Sequence, residues 1–250
     1  MSHQKRRDWR GAIIGMTMGD GSLWKGNANI NYIFGIGHCE KQIGYLAWKK
    51  QIVNEIFEYE IPITKKIITL KSNNKKYVSF RFTTRTHSRL SFVAKNIYIG
   101  KQKRITDWVL NNITDEGLAY WWMDDGCLHW DKRSIHGGGQ IIWALQGFPK
   151  EDVEKFRLFL IERFDCHLNL LQHCKGGYYL KRGISEGSKL LIPLKQYSIA
   201  CMDYKFDLRN HIRPYYNLKS ICYSADHPNK DDDIVHPSSN REQDVCIHLR

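Results

Sequence analysis

Two stretches of this chain repeat one plan. "AIIGMTMGDGSLWK" (12–25) and "GLAYWWMDDGCLHW" (117–130) each run about eight mostly apolar, helix-compatible residues into Asp-Gly, a small residue and Leu. Asp20 and Asp125 stand 105 positions apart, and a similar series of elements follows each. Self-similarity at a fixed spacing predicts two copies of one fold, residues 1–112 and 113–220. The remaining stretch, 221–250, is polar, rich in Pro, Ser, Asn and Asp and without periodicity, which predicts a flexible tail.

Inside each copy the apolar spacing changes from helical to alternating and back. In "NANINYIFGIG", Ala28, Ile30, Tyr32, Phe34 and Ile36 alternate with Asn27, Asn29 and Asn31, predicting a half-buried strand. "EKQIGYLAWKKQIVNEIF" sets Ile43, Leu46, Ala47, Val53 and Ile56 near helical spacing. "IITLKSNNKKYVSFRFTTR" predicts a hairpin turning at Ser72-Asn73-Asn74, with Val78, Phe80 and Phe82 on one face and Ser79, Arg81, Thr83 and Arg85 on the other. "SFVAKNIYIG" predicts a second helix. In the second copy "GGGQIIWALQGF" places Ile141, Trp143 and Leu145 inward and Gln140, Ile142, Ala144 and Gln146 outward. A helix follows from Pro149, then a hairpin turning at Gly176-Gly177, then short helical pieces. The fold class is α+β, two αββαββα repeats with an antiparallel sheet in each.

One sheet face is apolar and the other carries Asn, Gln, Arg, Ser and Thr, groups that suit base edges as well as plain solvent. Lys and Arg outnumber Asp and Glu 38 to 26, whereas the tail from 221 holds three basic and six acidic residues. The positive charge therefore sits in the repeats, which favours a polyanionic partner. Seven single Cys without a CxxC pair predict neither a zinc module nor a disulfide framework, and a reducing compartment fits them. No apolar run approaches the ~20 residues of a membrane span, so no membrane partner is expected. The eleven His are scattered, and His38, His87, His136 and His173 read as ordinary surface or loop residues, with DNA contact the alternative.

Gly15 and Gly19 share one face of the first motif helix and allow close approach of another backbone. If the second motif helix packs there, Asp20 and Asp125 arrive together. Two adjacent carboxylates repel unless a cation lies between them, and hard oxygen donors favour Mg²⁺ over zinc. A carboxylate-held metal beside a nucleic-acid face is suited to phosphodiester hydrolysis.

"IIGMTMGDG" (13–21) and "LAYWWMDDG" (118–126) resemble the paired signature helices of the single-chain LAGLIDADG homing endonucleases. Met18 stands where the motif has its first acid, and Tyr120 where the first copy has Gly15, so Tyr120 is expected against that glycine at the helix interface. "HCEKQIGYLAWKKQIV", "ALQGFPKEDVEKF" and "MDYKF" carry the likeness over residues 10–215. The resemblance implies a pseudo-twofold saddle whose two four-stranded sheets bind a long asymmetric duplex DNA, cut by a monomer to leave 3′ overhangs. It assigns Asp20 and Asp125, with Gly19 and Asp124 beside them, to Mg²⁺ or Mn²⁺, and Lys103 and Lys205 to the catalytic centre, with Lys101 the fallback for Lys103. Lys25, Lys132 and Arg133 are implied as DNA contacts after each motif, with Asn27, Asn29, Asn31, Arg81, Thr83, Arg85, Gln140, Gln146, Asn169, Lys181 and Arg182 on the sheets. The same fold serves intron maturases, so host intron RNA is the alternative partner, disfavoured because both final acids are retained. The start at Met1 close to the first motif is taken to argue against an intein. An organelle or a bacterial or phage cytoplasm is the expected location.

Overall fold

The computed structural model describes residues 8–26, 30–69, 76–130 and 139–208. Its elements alternate as the spacing predicts. The first repeat runs α1 (Trp9–Met18), β1 (Ser22–Lys25), β2 (Tyr32–Cys39), α2 (Ile43–Phe57), β3 (Ile63–Thr69), β4 (Lys76–Thr83) and α3 (Ser88–Ile97). A two-stranded ribbon, β5 (Tyr98–Ile99) with β6 (Gln102–Lys103), and a short helix, α4 (Asp107–Asn112), lead to the second repeat. That repeat runs α5 (Asp115–Asp125), β7 (Gly126–Trp130), β8 (Gly139–Ala144), α6 (Lys150–Phe164), β9 (Asn169–Gln172), β10 (Tyr178–Gly183) and α7 (Ile184–Leu194). The sheets share one strand order, β1-β2-β4-β3 and β7-β8-β10-β9, antiparallel throughout.

Helices α1 and α5 are the centre of the molecule. Gly11 to Met18 and Gly117 to Met123 are buried on every side, as expected of helices surrounded by protein rather than lying on a surface. Each starts on a side-chain cap, Asp8 accepting from the Arg10 N–H and Thr114 from that of Gly117. They cross where side chains are absent. A Cβ on Gly15 would lie 2.0 Å from the Gly117 carbonyl oxygen, and one on Gly117 2.1 Å from that of Gly11. The face of Gly15 is thus filled by Gly117, not by Tyr120 as the sequence suggested. Tyr120 turns away from the crossing, packs edge-on to Trp48 at 5.0 Å and donates its hydroxyl to Glu116.

Several strand limits differ from the sequence reading. The alternation in the Asn-rich stretch does not extend back to Ile30, which is 87% exposed in a bend. The first strand of each sheet is instead the segment after the motif glycine, β1 and β7, with Leu23 and Leu128 opposite Phe34 and Ile141. Ile43 and Ala47 face outward on α2, and the inward stripe is Tyr45, Leu46, Lys49, Ile52, Val53 and Ile56. Pro149 caps α6 from one position before its first turn. Gly176 and Gly177 both take positive φ at the β9–β10 turn. The turn expected at Ser72-Asn73-Asn74 and the tail lie outside the described residues.

Candidate functional site

The last turn of each motif helix delivers its acids at the point where the chain enters a sheet. Asp20 follows the α1 cap residue Gly19, and Asp124 and Asp125 close α5. A carboxylate at a helix C-terminus opposes the macrodipole, and here lysines offset it. Lys103 Nζ donates to the carbonyls of Gly19 (2.9 Å) and Gly21 (2.7 Å). Lys205 Nζ donates to those of Met123 (2.5 Å) and Asp124 (3.1 Å). Each lysine thus binds the end of one motif helix, and the carbonyls they reach on Gly19 and Asp124 stand at matched positions of the two motifs.

Asp124 crosses from the second repeat into the first. A Cβ on Gly19 would sit 2.3 Å from Asp124 Oδ2, so that glycine is what lets the carboxylate through. Its Oδ1 accepts from Lys49 Nζ (2.5 Å) and the Tyr45 hydroxyl (2.8 Å), and its Oδ2 from the Asp20 N–H (3.0 Å). Both members of the Lys49–Asp124 ion pair have fully buried side chains. Burial alone raises a carboxyl's pKa, but Lys49 and the other donors outweigh it and hold Asp124 below the ordinary carboxylate range. Beside this pair, His38 lies with Nε2 3.3 Å from Lys49 Nζ and Nδ1 3.7 Å from Asp20 Oδ2. Burial, then Lys49, depresses its pKa from 6.5 to about 3, so the ring is neutral at physiological pH. Burial and the neighbouring Asp124 raise that of Tyr45, and burial lowers that of Lys205.

Among the described residues, the acidic and imidazole groups that converge are Asp20, His38 and Asp124, with ligand atoms all within 4.8 Å of one another. Asp125 is held separately, accepting from the Trp121 indole N–H at 3.0 Å. The oxygen donors fit a hard cation. A carboxylate offers about four lone-pair positions, and the contacts above use three of Asp124's, leaving one on Oδ2 next to the Asp20 carboxylate. Lys49, Lys103 and Lys205 already stand among the three aspartates, so repulsion between carboxylates does not by itself demand a metal, contrary to the expectation from sequence.

The remaining predicted residues separate by strand register. Arg81 and Thr83 share the outer face of the first sheet with Trp24, the Arg81 guanidinium lying 5.9 Å from the Trp24 ring centre. Gln140, Lys181 and Asn169 share the outer face of the second. Arg182 opposes Ile141 and therefore has the helix-side parity, since adjacent strand residues point to opposite faces. It reaches Asn169 Oδ1 at 2.9 Å. Lys25 also has the inner parity and lies over the Tyr32 ring, 5.4 Å from its centre. Asn31 is tied to Ser91 of α3, Arg85 lies past β4 against Tyr59, and Gln146 packs in a turn against Gly177. None of these three occupies a strand face. Asn27, Asn29, Lys132 and Arg133 lie outside the described residues.

His38, Tyr45, Lys49 and Trp121 were missed as site residues, yet each had a signal. His38 continues the buried alternation Phe34, Ile36, and Lys49 falls in the inward stripe of α2. Trp121 is one helical turn before Asp125, where side chains meet. Trp122 has a supporting part, its indole donating to the Lys205 carbonyl at 2.9 Å.

Known proteins place this geometry. The homing endonuclease I-WcaI, solved bound to its DNA recognition sequence, aligns with TM-score 0.68 and 26% identity over 79% of this chain and 85% of that one. The DNA endonuclease I-ChuI of Chlamydomonas applanata is 29% identical over 203 residues, 77% of this chain and 91% of that protein. A RecA protein of Mycolicibacterium flavescens is 25% identical over 201 residues, 77% of this chain and 45% of its own length. The chain spans about half the length of the RecA relatives it matches. The profile of the LAGLIDADG DNA endonuclease family matches residues 10–190, which takes in both motif helices and both sheets, and the chain belongs to that family.

Proposed function

We propose that this chain is a site-specific DNA endonuclease that hydrolyses both strands of a long asymmetric duplex with Mg²⁺ or Mn²⁺, leaving 3′ overhangs. The observation that carries the reading is the meeting of the motif helices, which brings Asp20 and Asp124 together and seats Lys103 and Lys205 on the adjoining helix ends. Asp20 and Asp125, the final acids of the motifs, would hold the cation, with Asp124 bracing the first. When bound, the ion would supply an activated water and charge to stabilise the departing oxygen. Lys103 and Lys205 set positive charge where the phosphate's negative charge grows. The outer sheet faces, through Arg81, Thr83, Gln140, Lys181 and Asn169, carry donors and acceptors suited to base edges.

Selection of cleaved duplexes from a random library in Mg²⁺ tests this and yields the target. Asp20→Asn and Asp125→Asn are each expected to slow cleavage of that target by at least about a hundredfold with DNA binding retained. Undiminished cleavage by the double variant would sink the metal assignment.

A further inference from the structure

Ring nitrogen donors stand next to both final acids, but they come from different places. Asp125 receives the indole N–H of Trp121 on its own helix. The residue equivalent to Trp121 in α1 is Met16, which has no donor. On that side the ring nitrogen near the acid is Nδ1 of His38, from strand β2. The second repeat in turn has no such histidine, since β2 and β8 align with Leu145 at the His38 position, and α2 and α6 align with Phe156 at the Lys49 position. Each half thus puts an aromatic ring nitrogen beside its acid by its own route.

Which way the His38 proton points follows from Lys49. An ammonium only donates, so Lys49 Nζ at 3.3 Å requires a lone pair on Nε2. A neutral imidazole has one N–H, which must then be on Nδ1, the nitrogen facing Asp20. Lys49 is itself fixed, buried and bound to Asp124 at 2.5 Å. The ring packs against Tyr45 with centres 5.1 Å apart, and the Gln42 side chain accepts a hydrogen bond from it, a second acceptor besides Asp20 for the ring's one N–H.

We propose that His38 is a positioning residue for Asp20: Lys49 holds it as the Nδ1–H tautomer, and its ring N–H orients the Asp20 carboxylate toward the cation. The proposal rests on the metal-nuclease reading above. At 3.7 Å the contact is longer than a hydrogen bond, and the proposal requires it to shorten when the cation and substrate are bound, as apo catalytic contacts often do. It also assigns a negative property: Nδ1 has no lone pair to give, so His38 is not a metal ligand although it lies within reach of one.

Two measurements on the full chain test this. Two-bond ¹H–¹⁵N correlation of the labelled histidines, with the His38 signals identified by their loss in His38→Asn, reads the tautomer directly. A protonated Nδ1 and bare Nε2 are expected at neutral pH, unchanged by Mg²⁺. A protonated Nε2, or loss of the Nδ1 proton when Mg²⁺ is added, overturns the proposal. The second measurement follows each strand of the selected duplex separately. His38→Leu, which copies Leu145, should slow one strand by about 10- to 100-fold with DNA affinity unchanged. His38→Asn, whose amide nitrogen stands where Nδ1 stood, should recover most of that rate, and His38→Gln should not. Equal slowing of both strands, or an unimpaired Leu variant, also overturns it. A wild-type chain that cuts no duplex defeats the nuclease reading instead, and the tautomer measurement then decides the role of His38 by itself.

Discussion

Lys49 and Asp124 belong to different repeats, and neither side chain touches water. Removing one partner of such a pair leaves an uncompensated buried charge, which costs about 3–5 kcal/mol, whereas removing both costs far less. Lys49→Met is therefore expected to destabilise the fold by that amount, and Lys49→Met combined with Asp124→Ala to recover much of it. Urea unfolding of the two single variants and the double variant measures the coupling, and simple additivity would show that the pair is not energetically joined. At this scale residue type pointed to the chemistry of Asp20 and Asp125 at the motif ends, while Lys103 and Lys205 came from the family resemblance. Residue type was less informative where identity and position conflict. A lysine in an apolar stripe is normally a surface residue, and only a partner delivered from 75 positions away explains its burial, while His38 is buried in turn beside that lysine.

Among the elements, the crossing of α1 and α5 sets glycine directly against backbone, and its tolerance is small. Gly15→Ala would drive a methyl group into the Gly117 backbone, 2.0 Å from its carbonyl oxygen. Backbone has no rotamer by which to yield, so the helices must separate, and a loss of about 3 kcal/mol is expected by thermal or urea unfolding. Gly44→Ala on α2, where nothing lies within 4 Å of the added atom, is the matched control and should be neutral or slightly stabilising. Element order was legible because apolar periodicity switches cleanly between the two types. Element limits were not. Strands β1 and β7 hold four and five residues directly after a helix, too short for alternation to declare them, and pairing with β2 and β8 is what defines them. The glycines of the crossing were half legible: the spacing exposed Gly15 and Gly19, but Gly11 and Gly117 are identified only by the partner they meet.

The whole molecule carries a formal charge of +12. A duplex held through about six to ten phosphates releases as many counterions, so the logarithm of affinity should fall against the logarithm of salt concentration with a slope of about −5 to −9. Fluorescence anisotropy over a salt series measures it, and a flat response would exclude binding through the DNA backbone. The linker between repeats adds a second kind of coupling. Lys103 is bound to the first motif, while the neighbouring Arg104 makes a two-pronged contact with Asp152 of α6, at 2.7 and 2.9 Å. Helices α2 and α6 align over their 15 residues, which puts Tyr45 at the place of Asp152. The crossing carboxylate has a consequence for self-pairing. A pair of first halves would have no Asp124 for Lys49 and no Asp152 for Arg104. A pair of second halves would press two Asp124 carboxylates together among leucine and phenylalanine. Each half therefore depends on the other for the partners that bury its charges, and neither carries a full set for a symmetric pairing with itself.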